Sequence, residues 1–185
     1  GVPLHIVQRG HNREACFFAE DDYLAYLHWL SEALRKESCA LHAYVLMTNH
    51  VHLLLTPEHA EAVPRLLISL GRRYVQYVNK TYRRTGTLWD SRYKSSLVDA
   101  EAYLLTCQRY IELNPVRAGM VDDPAHYRWS SYRHHALGQA SAILSTTFVV
   151  DTVPPTLTLT LPPLLTGSIA NVEGLAQDPD PTGSQ

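Results

Sequence analysis

Met47-Thr-Asn-His50-Val-His52-Leu-Leu-Leu55 sets two histidines around one valine at the start of an apolar segment. Side chains two apart on a β-strand leave the same face, so His50 and His52 project together. Imidazoles at that spacing can grip one divalent cation and leave coordination positions for a substrate. Taken alone, the pair also reads as two half-buried strand histidines, because the motif is short and chance matches are common. Further along, Tyr110 and Asn114 stand four apart in Tyr103-Leu-Leu-Thr-Cys-Gln-Arg-Tyr110-Ile-Glu-Leu-Asn114. That spacing puts a phenol hydroxyl and an amide oxygen on one helix face. If the helix packs beside the strand, His50, His52 and Asn114 complete a three-ligand metal site with Tyr110 next to it. A structural tyrosine above a capping asparagine is the other reading of Tyr-x-x-x-Asn.

These groups need elements to carry them. Leu4 to Arg9 reads as a first strand followed by a Gly10-His-Asn turn. Tyr23 to Lys36 has Leu24, Leu27, Leu30 and Leu34 at helical spacing, with Asp21 and Asp22 where helix N-terminal acids belong. Leu41–Met47 and His50–Thr56 are apolar strands joined closely enough at Thr48-Asn49 to form a hairpin, and Pro57 stops the second. A helix from about Glu61 to Lys80 carries Leu66, Leu67, Leu70, Tyr74, Tyr77 and Val78 on one stripe. Arg92 to Val98 is a fourth strand. Asp99 can cap a third helix, about Ala100 to Leu113, which Pro115 ends. The order strand, helix, hairpin, helix, strand predicts an α+β, ferredoxin-like or RRM-like sandwich, with helices on one face of an antiparallel sheet. Trp129-Ser-Ser-Tyr132 is expected to clamp back onto the core. Residues 1–138 then form one domain, and 139–185, rich in Thr, Pro, Gly and Ser, a disordered tail.

Bulk properties narrow the class. A chain of 185 residues that is 45% hydrophobic can bury one core. No apolar run approaches the roughly 18 residues of a membrane span. Cys16, Cys39 and Cys107 form no close pair, which fits a reducing cytoplasm and core filling. The opening Gly1-Val-Pro-Leu-His-Ile lacks the layout of a secretory signal. The net charge of -2 conceals a gradient: residues 65–133 hold twelve Lys and Arg against six acids, and no Lys or Arg follows His134. Ten of the twelve are Arg, suited to phosphate contacts and base stacking, so the middle carries a nucleic-acid footprint. Tyr82, Trp89 and Tyr93 lie among these cations as stacking platforms or, for Trp89, as core filler. His42 and His59 read as ordinary surface or packing histidines.

Several motifs in register give the chain a family likeness. Asn49-His-Val-His-Leu-Leu-Leu55 with Tyr110-Ile-Glu-Leu-Asn-Pro-Val-Arg-Ala118 resembles the HUH single-tyrosine transposases, nearest to the REP-associated tyrosine transposases. Gln8-Arg-Gly-His-Asn-Arg13, Gly86-Thr-Leu-Trp-Asp-Ser-Arg92, Leu97-Val-Asp99 and Trp129-Ser-Ser-Tyr132 follow in the family's order, over residues 1–138. The resemblance implies a ferredoxin-like enzyme that nicks and rejoins single-stranded DNA beside hairpins. Tyr110 matches the nucleophile that forms a 5′-phosphotyrosine; His50, His52 and Asn114 match the ligands of a divalent metal, Mg²⁺ with Mn²⁺ substituting. Arg9, Arg13, Arg72, Arg73, Arg83, Arg84, Trp89, Arg92, Lys94 and Arg117 are the expected DNA contacts, in a monomer or homodimer without a membrane partner. The alternative is a non-catalytic nucleic-acid-binding module on the same fold. A metallohydrolase of small phosphoesters would need more ligands than the sequence offers.

Overall fold

A computed structural model describes residues 1–98 and 101–145. Asp99 and most of the expected tail, residues 146–185, lie outside the described residues. Four strands, β1 (Leu4–Arg9), β2 (Cys39–Met47), β3 (His50–Pro57) and β4 (Lys94–Leu97), form one antiparallel sheet in the order β2-β3-β1-β4. The long helices α1 (Glu20–Lys36) and α2 (Ala62–Thr81) supply the crossovers. This is the α+β, ferredoxin-like arrangement expected from the element order.

Register sorts the side chains by face. Ile6, Leu41, Leu46, Val51, Leu53 and Leu55 join α1 and α2 in the larger core. Of the apolar stripe read on α2, Leu66, Leu67, Leu70, Tyr74 and Val78 are buried and Tyr77 is half-buried, while Val63 extends the buried face toward the start of the helix. On α1 the buried set is Tyr26, Leu30, Ala33 and Leu34, while Leu24 is exposed. The start of α1 is fixed by the buried Asp22, whose carboxylate accepts from the Phe18 and Ala19 amides at 2.7 and 2.9 Å and from the Tyr82 hydroxyl at 2.8 Å. Those bonds satisfy N–H groups that a helix start leaves without internal partners.

The opposite face is covered as well. Ala43, Val45, Met47 and Leu54 pack against Leu104 and Ile111 of α3 (Glu101–Glu112) and against Tyr127. Helices on one face is therefore right for α1 and α2 and is corrected for α3. The physical sign is that β2 and β3 are buried at consecutive positions, which requires cover on both sides. A register shift between Leu41 and Ala43 resets the alternation of β2, so that Ala43, Val45 and Met47 enter this second core while Tyr44 and Leu46 face the larger one.

The helix after Glu112 does not simply stop. Pro115 removes a backbone donor, and the chain restarts as the short α4 (Asn114–Arg117). Trp129 and Ser131 then bond to β2, the Leu46 amide donating to the Trp129 carbonyl at 2.9 Å and the Ser131 amide to the Tyr44 carbonyl at 3.0 Å. Trp129 also stacks on Tyr23 with centroids 4.5 Å apart. The clamp read from Trp129-Ser-Ser-Tyr132 is thus backbone pairing plus one stacked ring, leading into α5 (Tyr132–Leu137). Beyond residue 138 the chain stays against the domain as far as it is described: Leu144 is buried, and the Ser145 amide donates to the Leu41 carbonyl at 2.8 Å.

Candidate functional site

On β3, His50 pairs with Arg9 and His52 with Val7; Val7 in turn pairs with Lys94. Directly opposed residues share a face, so Arg9, His50, His52 and Lys94 all point to the side covered by α3. His5 sits diagonally from His52 on the same face. The turn before His50 is fixed by bonds to the loop after β1: the Gly10 amide donates to the Asn49 carbonyl at 2.8 Å, and Asn49 Nδ2 to the Arg13 carbonyl at 3.0 Å. Gly10 is required here, because a Cβ would come within 2.2 Å of the Glu14 carbonyl oxygen.

On α3, Leu104 and Ile111 anchor the helix in the second core. Tyr110 precedes Ile111, so it lies beside the buried stripe and remains half-exposed. Its ring is 5.9 Å from that of His52 and 6.1 Å from that of His5, edge-on to both. Arg117 of α4 lies over the phenol, 5.0 Å from the ring centroid. The Asn114 side chain lies close enough to His50 to raise the pKa of that ring. All four residues expected at a metal and nucleophile site are therefore side by side.

Burial tunes the imidazoles. His52 is 5% exposed, and its pKa is pushed down to about 3, by burial first and then by neighbouring His50, His5 and Arg9. His50 is lowered by burial and by Arg9, against the opposing effect of Asn114; burial lowers His5 too. Each ring is thus neutral near pH 7 with a nitrogen lone pair available, the form that binds metals. Asn49 Oδ1 lies 2.6 Å from His50 Nδ1 and accepts its proton, so the lone pair of that ring is on Nε2.

Among the described residues no three His, Cys, Asp or Glu side chains group to hold an ion. An ion here therefore depends on the Asn114 amide as third donor. Two neutral imidazoles and an amide oxygen are a donor set that can hold one divalent cation with open positions for substrate oxygens. Beside Tyr110 runs a largely apolar groove of about 760 Å³, lined by His5, Leu97, Tyr103 and Thr106 among others.

The expected DNA contacts divide. Arg9, Lys94 and Arg117 lie on the face of the imidazoles, Arg13 meets Asn49 through its backbone carbonyl, and Arg92 is exposed just before β4. Arg72 and Arg73 lie on α2, across the sheet; Arg73 is paired with Glu32 at 2.6 Å and lies over Trp29. Arg83 and Arg84 follow α2, with Arg84 over Phe18. Trp89 is corrected: it is 8% exposed and packs near Tyr74 and Tyr26, so no base can stack on it. Its backbone bridges Gly10, which ties the basic loop to the end of β1. His5 is the site residue that sequence reading missed, since its place beside His52 follows from the pairing of β1 with β3 and from nothing local.

The described helices include none long and apolar enough to cross a membrane. A family model described as "Transposase IS200 like" matches residues 1–114. Among solved structures, a REP-associated tyrosine transposase bound to a REP hairpin superposes with a TM-score of 0.59 at 15% identity, over 78% of this chain and 86% of that one. A candidate transposase of Deinococcus radiodurans R1 gives a TM-score of 0.45 at 26% identity, over 60% of this chain and 88% of that one. No curated protein matches the chain.

Proposed function

Because the chain belongs to the IS200-like transposase family, we propose that it nicks and rejoins single-stranded DNA beside hairpins of the REP type. Tyr110 is the nucleophile, and His50, His52 and Asn114 hold a divalent cation. The observation that carries this reading is the Tyr110 ring standing 5.9 Å from His52 on the face that His50 and Asn114 also share.

The chemistry suits a phosphodiester, whose anionic oxygens repel an incoming nucleophile. When bound, the cation neutralises that charge and stabilises the crowded transition state. Arg117 adds a fixed positive charge over the attacking phenol, and Arg9 and Lys94 add two more beside the imidazoles. Tyr110 forms its O–P bond as the P–O3′ bond breaks, giving a 5′-phosphotyrosine; the phenol proton passes to solvent and the 3′ oxygen leaves as a hydroxyl. Rejoining is the reverse attack by a 3′-OH. One phosphodiester replaces another, so the exchange needs no nucleotide triphosphate. The groove beside Tyr110 gives an unstacked base a place next to the reacting phosphate.

Incubation with hairpin-bearing single-stranded DNA and Mn²⁺ tests the assignment through an adduct that survives denaturing electrophoresis. The wild type is expected to form it, and Tyr110→Phe to form none. An adduct on Tyr110→Phe would refute the nucleophile. Metal-independent binding without any adduct would leave a DNA-binding module on the same fold.

A further inference from the structure

His5 takes no part in the roles given so far, yet its Nε2 lies 2.8 Å from Nδ1 of His52. The two rings lie nearly parallel and edge to edge, with centroids 5.1 Å apart and 17° between their planes, so the bond runs in the ring planes. A hydrogen bond between neutral imidazole nitrogens needs one N–H and one lone pair. Two assignments are open. In the first, His52 keeps its proton on Nδ1, donates it to His5, and has a bare Nε2 to offer a cation. In the second, His5 donates from Nε2, the His52 proton moves to its own Nε2, and that nitrogen is closed to metal. The neighbouring ligand shows how such a choice is made: Asn49 spends its Nδ2 on the Arg13 carbonyl, so its Oδ1 faces His50 Nδ1 and accepts only.

We propose that His5 is a positioning residue for the strand-transfer reaction: it accepts the Nδ1 proton of His52 and, through that in-plane bond, holds the ring in the tautomer whose Nε2 faces the cation. The inference rests on the reading of His50, His52 and Asn114 as the ligand set. Partners behind a ligating histidine fix its tautomer and ring orientation, and losing one costs about 10–100-fold in metal affinity. The fold supplies the partner through register, since His5 opposes Leu54, one same-face position along from His52.

Two readouts on the full chain decide it, neither of them turnover. Nitrogen-15 NMR of the metal-free wild type is expected to show the His52 proton on Nδ1 alone, and a proton on Nε2 would overturn the proposal. Mn²⁺ titration followed by electron paramagnetic resonance is expected to show affinity about 10–100-fold weaker in His5→Phe, which keeps a ring but cannot accept. His5→Gln, whose amide oxygen accepts the same proton, is expected to recover most of that loss. Wild-type affinity in His5→Phe overturns the proposal. If His52→Ala binds Mn²⁺ as the wild type does, the ligand set itself is wrong, and the wild-type tautomer still decides the role of His5.

Discussion

Two buried histidines on neighbouring strands, His42 and His52, show how alike the residues of this sheet are until their partners are known. His42 Nε2 bonds to Thr56 Oγ1 at 2.7 Å, away from Tyr110, and its pKa is pushed down to about 4, by burial and then by the charge of His135. The folded value lies below the unfolded value of about 6.5, so between those limits the unfolded chain binds a proton that the folded one refuses. Stability is therefore full above about pH 6.5 and is lost as pH falls toward about 4. Urea midpoints at about pH 7.5 and about pH 4.5 should fall in the wild type and fall less in His42→Phe. His5, His50 and His52 are depressed in the same direction, so the test is the difference between the two proteins; equal drops would remove His42 from the account. His42 and His52 are both His in the sequence. His50 and His52 were legible as a pair because side-chain parity within one strand is local. The roles of His5 and His42 hang on which strand lies alongside, and that is fixed only by pairing.

The element that matters most to the proposed chemistry is α3, which carries Tyr110 and leads into Asn114. Its C-terminal end is held by Glu112, which is 5% exposed and accepts from the Ser131 hydroxyl at 2.6 Å and bonds His135 Nδ1 at 2.5 Å. Ser131 also accepts from the Tyr44 amide at 3.1 Å, so one hydroxyl joins the helix, β2 and the chain before α5. Ser131→Ala would leave a buried carboxylate and a buried amide each short of a partner. The expected cost is about 1–3 kcal/mol, read from urea unfolding, with adduct formation slowed through the looser seat of Tyr110. A variant within about 0.5 kcal/mol of wild type would show that Glu112 finds other partners. Among the elements, α2 was the most legible, since its apolar stripe repeats over about four turns. The helix–restart at Asn114 was half legible: Pro115 announced a break, while the turn beyond it depends on bonds such as Ala118 to Asn114 at 2.9 Å. Cover on the second face was written in the consecutive apolar residues of β2 and β3 rather than in any helix pattern.

At the scale of the whole molecule, the cations of the middle stretch are a single group in the sequence and two groups on the fold. Lys94 and Arg117 stand with the imidazoles and Tyr110, where Arg9 of β1 joins them from outside that stretch. Arg73 is spent on Glu32 and Trp29 beyond the sheet, and Arg128 on Glu20 and Trp129. Binding of a single strand releases counterions in proportion to the phosphates neutralised, with a salt slope of about 0.7 per contact. Arg9→Ala and Lys94→Ala should each weaken binding of hairpin-bearing single-stranded DNA and flatten the slope of log affinity against log salt by about that amount. Arg73→Ala should leave affinity and slope alone, and loss of its exposed ion pair should leave the urea midpoint close to that of the wild type. Fluorescence anisotropy across a salt series measures all three. Equal losses from Arg73→Ala and Lys94→Ala would mean that DNA reaches across α2 as well. The phosphate path would then be set by the total charge of the middle stretch, and the division of cations between the two faces would carry no information about the substrate.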